Sequence, residues 1–194
     1  GSRSSLPDAS WVVLLPMVKA AYAAMAAAEK ILGDSSPAKW SVTGASKRGW
    51  TTWLVGAGTK HTHSLNLSHT GTHSPKSPHT HQQTPINTHQ HVPTVDMARD
   101  EAERRVQGIA PIVLDGLHFE QTLKLHYGSY GGWSFAMRPF VDVGFTGRID
   151  SEEIKTLWEL VDPYYYMSRY KGLPKLVCDG TGDEWFLPDD SRYW

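Results

Sequence analysis

The sequence predicts an α/β protein built on a parallel sheet with helices on both faces. Three observations carry this. A β-prone run, Trp40-Ser41-Val42-Thr43, passes through Gly44-Ala45-Ser46 into a helical pattern beginning at Lys47. A continuous apolar run, Gly108-Ile109-Ala110-Pro111-Ile112-Val113-Leu114, ends in Asp115. A second short run, Pro174-Lys175-Leu176-Val177-Cys178, ends in Asp179. Short apolar strands separated by helical segments read as a buried parallel sheet.

The elements follow in order. From Asp8 to Gly33 the chain is Ala-rich, with apolar residues at Leu14, Leu15, Val18, Ala21, Tyr22, Met25 and Ile31. That spacing predicts a helix closed by Gly33, with Pro16 in its first turn or at a kink. Lys39–Thr43 is expected as a strand. Lys47–Ala57 is expected as a helix, since Trp50, Trp53, Leu54 and Ala57 recur at three- and four-residue spacing. The run from Gln107 predicts a second strand, and His118–Tyr127 reads as a helix. Tyr130–Phe145 is rich in glycine and aromatic residues without a clear period. Asp150-Ser151-Glu152-Glu153 predicts an N-cap with glutamate at N3, leading into Ile154, Leu157, Trp158 and Val161 before Pro163 stops the helix. Pro174–Asp179 is expected as the third strand.

Composition bounds the function. The chain has 194 residues and a formal charge of −1, with 19 basic and 20 acidic residues interspersed. No basic block offers a partner to a phosphate backbone, so nucleic acid is excluded as an expected ligand. No run approaches the roughly 18 apolar residues of a membrane span. Cys178 is the only cysteine, so an internal disulfide is impossible. Oligomeric state and cofactor leave no signal, and no cofactor is expected.

Gly58–Pro93 contains no aromatic and no acidic residue and is dominated by Thr, Ser, Pro, Gln and His. Such a segment buries too little apolar surface to offset its ordering entropy, and residues 58–103 are expected to be a disordered insert. Removing roughly Thr59 to Asp100 in thought restores a short helix-to-strand loop, so the segment reads as an addition to a finished fold. Eight of the ten histidines lie between His61 and His91, three times as one-apart pairs. They lack flanking Cys, Asp or Glu ligands and a second shell, so no metal site is expected. The domain plan is therefore core at 1–57, insert at 58–103 and core again at 104–194.

The candidate chemistry sits where the strands end. Sites in parallel sheets form beyond the C-terminal ends of the strands, which groups Ser46, Asp115 and Asp183. A serine between strand and helix is held clear of the backbone, and the helix N-terminus offers amide N–H groups to a developing oxyanion. Such a serine also suits a plain helix cap. Asp115 suits a cap for the following helix, and Asp183 suits an Asx-turn.

The stretches GASKRGWTTWL, PMVKAAYAAM, GIAPIVLD, EQTLKLHYGSYGGWSFAMRPFVDVG and KLVCDGTGDEWFLPDDSRYW together resemble the PhoPQ-activated pathogenicity-related family, which includes autocrine proliferation repressor proteins. The resemblance covers nearly everything outside Gly58–Glu103. It implies a partial α/β-hydrolase fold with a helical, aromatic-rich cap insertion over about 118–173. It implies Ser46 as nucleophile, Asp183 as triad acid and Asp115 as the alternative acid. Arg48 replaces the second glycine of G-x-S-x-G, and Gly49 follows one residue later, closer to the elbow of glucuronoyl esterases. That comparison gives the Lys47 N–H an oxyanion role, with its ammonium adding charge.

The expected activity is ester or amide hydrolysis of a small-molecule, carbohydrate-linked or peptide-linked substrate. The alternative is a non-catalytic signalling or binding protein. Extracellular location is implied by the family alone. Hydrolases of this order place the histidine after the acid, and no histidine follows Asp183. The chain is therefore expected to be a fragment, with His118 and His126 in the cap or at the surface rather than serving as the base.

Overall fold

The computed structural model describes residues 12–58 and 105–194. The expected insert and the predicted start of the first helix lie outside them. Helix α1, Leu14–Leu32, buries Leu14, Leu15, Val18 and Met25 and ends at Gly33, whose φ of 52° suits glycine. Strand β1 is Trp40–Ala45, helix α2 is Lys47–Gly56, and strand β2 is Val106–Ile112. β1 pairs parallel with β2, from Ser41 opposite Gly108 to Ala45 opposite Ile112.

The third predicted strand appears as two isolated bridges, Ile109 to Lys175 and Ile112 to Cys178, both parallel. Ile109 N donates to Pro174 O and Leu176 N to Ile109 O, then Cys178 N to Pro111 O and Val113 N to Cys178 O. The missing rung is the one that Pro111 N–H would supply, and proline has none. A ladder in constant register is thereby split in two.

Helix α2 covers one face of this small sheet. Trp53, Leu54 and Val55 are fully buried, and a Cβ on Gly56 would meet Ile109 Cγ2 at 2.8 Å. The other face carries Ser41, Thr43, Ala45, Ile112, Leu176 and Cys178, all exposed. The expectation of helices on both faces is therefore not met among the described residues. The physical reason is legible in β1 itself, whose apolar residues alternate with serine and threonine, the pattern of a strand with one wet face.

The remaining chain packs as a helical layer. Helices α3 (Phe119–Tyr130), α4 (Arg138–Asp142) and α5 (Glu152–Val161) are joined by 3₁₀ turns. A 3₁₀ segment, Pro163–Tyr170, then returns the chain to the core. The aperiodic stretch after Tyr130 holds α4, too short to show a period. Ser151, one residue later than expected, caps α5 by accepting from Ile154 N at 3.4 Å. The layer is tied down by polar bonds to the core, Tyr170 Oη to Trp53 O at 2.9 Å and Trp50 Nε1 to Val161 O at 2.6 Å, while Trp53 Nε1 donates to Leu114 O at 2.8 Å and joins α2 to the end of β2.

Candidate functional site

Ser46 joins β1 to α2 with φ 54° and ψ −126°. This is a region that residues with a Cβ avoid, and such strain persists only where the surroundings enforce it. The enforcement is visible. Ser46 N donates to Ile112 O at 2.9 Å, and Trp50 N donates to Ser46 O at 3.0 Å. Two glycines let the backbones approach. A Cβ on Gly44 would fall 2.7 Å from Arg48 O, and one on Gly49 would fall 2.9 Å from Ile112 O. Gly49, displaced by one from the commoner elbow pattern, is thus the residue that lets α2 sit against the end of β2.

The Ser46 side chain caps nothing in α2, so the capping expectation fails and the exposed hydroxyl is left to solvent. Lys47 is the first residue of α2, where backbone N–H groups lack intrahelical acceptors. Among the described residues, Val113 (φ 46°) and His118 (φ 63°) are the other non-glycine residues at positive φ. Both lie just beyond β2, so backbone strain gathers at the strand ends.

A cavity of about 430 Å³ opens beside Ser46. Ser46, Lys47, Asp183, Glu184 and Asp190 supply its polar wall, and most of the rest is aromatic or aliphatic. Asp183 Oδ1 accepts from Trp185 N at 2.7 Å and Phe186 N at 2.9 Å. This is the Asx-type turn foreseen as one reading, and it leaves Oδ2 without a hydrogen bond. Both readings of Asp183 are compatible with this geometry: the turn fixes the carboxylate, and the cavity receives it.

Asp115 lies apart from the cavity lining. It is 1% exposed, its Oδ1 has no partner, and burial with Asp179, Asp190 and Asp183 nearby pushes its pKa up to about 7. It does not cap α3. That work falls to Asp162, which accepts from His118 N, Phe119 N and Tyr164 N at 3.1, 2.7 and 3.0 Å. Burial still raises Asp162 to about 6 against those three bonds. Asp190, 2% exposed, is raised to about 6 by burial, and its Oδ1 is also unpartnered.

Neither histidine of the described residues reaches the cavity. His118 stacks on Tyr164 at 4.0 Å between ring centroids. His126, expected in the cap or at the surface, is buried in α3 and 2% exposed, so it is not a surface residue. Its Nδ1 lies 3.1 Å from Trp185 O, and its Nε2 accepts from Ser134 N at 3.2 Å. Those partners require the neutral Nδ1–H tautomer, and burial lowers its pKa. Ser134 Oγ donates to Glu184 O at 2.7 Å, so α3 and its following turn grip the loop that bears Asp183. Sequence periodicity carries no signal for this clasp or for Asp162, because both join segments far apart in the chain. No group of metal-ligating side chains occurs among the described residues.

The fold and site define a mixed α/β protein with a strained strand–serine–helix turn beside an aromatic cavity. The chain belongs to the PhoPQ-activated pathogenicity-related protein family, whose family model matches residues 3–65 and 97–194. The unmatched residues 66–96 fall within the histidine-rich segment. The chain is similar to autocrine proliferation repressor protein A of Dictyostelium discoideum, at 27% identity over 187 residues. That match takes in 95% of this chain and 28% of the relative, so the chain spans little more than a quarter of the relative's length. No solved structure gives a significant match. No described helix is long and apolar enough to cross a membrane.

Proposed function

We propose that the chain forms part of a serine hydrolase of α/β-hydrolase fold that cleaves an ester or amide through an acyl-Ser46 intermediate. The observation that carries this is the strained Ser46 backbone, φ 54° and ψ −126°, beside a cavity that it shares with Asp183. A lone capping serine has no need of that conformation. Ser46 Oγ attacks the carbonyl carbon, and its proton passes to an imidazole. The oxyanion is met by the Lys47 N–H at the helix N-terminus. The leaving alcohol or amine takes the proton, and water then hydrolyses the acyl-enzyme. Asp183, held by two backbone amides, orients the imidazole.

The test is labelling of the full-length protein by a fluorophosphonate probe. Modification at Ser46 that disappears in Ser46→Ala is expected; a folded protein that stays unlabelled overturns the reading. The relative's name, a proliferation repressor, supports a second reading as a secreted signalling or binding protein without turnover. The absence of a histidine from the described cavity wall also favours it. In that case Ser46→Ala leaves the repressing activity unchanged.

A further inference from the structure

The cavity wall is a continuous chain of aromatic contacts. Trp50 lies 4.5 Å from Phe119, Phe119 lies 5.2 Å from Trp158, and Trp158 lies 5.7 Å from Phe145, between ring centroids. Phe145 then lies 5.7 Å from Phe140, and Phe140 lies 5.1 Å from Trp185. All six rings line the cavity. The chain starts four residues after Ser46 and ends two residues after Asp183, so it runs from the candidate nucleophile's helix, through the helical layer, to the candidate acid's loop. Core packing alone does not account for it, because Phe140 is exposed and Trp50, Phe145 and Trp185 are only part-buried around an open space.

We infer that the cavity beside Ser46 binds an aryl-bearing ester or amide, whose ring is enclosed by the aromatic wall. As a statement about substrate this rests on the hydrolase reading; as a statement about binding it does not. Aromatic edge-to-face and offset contacts favour a flat ring over an alkyl chain of equal area. The Lys47 and Asp183 wall leaves the scissile group at the polar end.

Calorimetric titration of the Ser46→Ala protein, which holds substrate without turnover, tests this with methyl hexanoate and methyl cinnamate. Cinnamate is expected to bind about fivefold tighter than hexanoate. Leu123→Trp, filling the cavity, abolishes cinnamate binding. Equal affinities for hexanoate and cinnamate in the unfilled cavity overturn the inference, as does cinnamate binding unaffected by Leu123→Trp. Aryl binding without fluorophosphonate labelling separates a true pocket from a failed hydrolase reading, and labelling without aryl preference separates the reverse.

Discussion

Replacing Ser46 by glycine is expected to stabilise the protein, although it removes the candidate nucleophile. At φ 54° and ψ −126° a residue with a Cβ holds on the order of 1–3 kcal/mol of strain. Glycine releases that strain and returns about 0.5–1 kcal/mol through the greater freedom of its unfolded chain. The net gain is about 1 kcal/mol, equivalent to a Tm rise of about 2–4 °C for a chain of this size. Ser46→Ala keeps the Cβ and hence the strain. The serine hydroxyl makes no cap bond in α2, so alanine should melt within about 1 °C of the parent. The assay is thermal unfolding of parent, Ser46→Ala and Ser46→Gly side by side, followed by circular dichroism. A glycine variant that melts below the alanine variant refutes the claim that the turn is strained, and with it the argument that Ser46 is held for function.

Asp162→Ala strips the acceptor from the three backbone donors of His118, Phe119 and Tyr164 and should cost about 3 kcal/mol in urea unfolding; a loss under about 1 kcal/mol would show that water replaces the carboxylate. Asp115, with a folded pKa near 7 against an unfolded 3.8, keeps its proton where the unfolded chain has lost it, so its contribution is full below about pH 4 and falls as pH rises to 7. Asp115→Asn should therefore become progressively more stable than the parent between pH 4 and 7, whereas a pH-independent difference would contradict the buried acid. Deleting residues 66–96, which the family model skips, should leave both the melting temperature and Ser46 labelling unchanged. His126→Leu should speed hydrogen exchange around Ser134 and around Trp185 together, because one imidazole holds both; exchange that changes at only one segment would dissolve the clasp.

The elements were legible where one segment decides its own state. The Ala-rich α1, the amphipathic α2 and the N-capped α5 each carry their period and stop signals locally, and apart from the start of α1 the observed ends differ from the expected ones by about a residue. The strands were legible in place but not in pairing. Pro111 looked like one more apolar residue in a buried run, yet its missing N–H divides the ladder to Lys175–Cys178. The serine turn showed in Gly44, Ser46 and Gly49, because close backbone approach demands glycine. What stayed hidden was everything made by distant segments meeting: Asp162 capping α3 across 43 residues of chain, His126 gripping the loop after Asp183, and the aromatic wall drawn from several separate segments. No single window holds such contacts, so neither period nor motif announces them.

These long-range ties also constrain how the helical layer can behave. Over a site of this kind a cap is readily pictured as a lid, but this layer is fastened on every side of the cavity. Trp50 Nε1 bonds Val161 O, joining the Ser46 helix to the end of α5. Asp162, the next residue, holds the start of α3. At the far end of α3, His126 and the Ser134 hydroxyl hold Trp185 and Glu184, while Asp183 holds the same loop from within. Opening the layer as one body would expose a buried carboxylate and a buried imidazole together, each costly to leave unpaired. A closing lid would need the opposite design, with few buried polar bonds at its hinges. The layer is therefore a fixed wall, and the selectivity of the cavity is set by its shape and its aromatic lining rather than by closure.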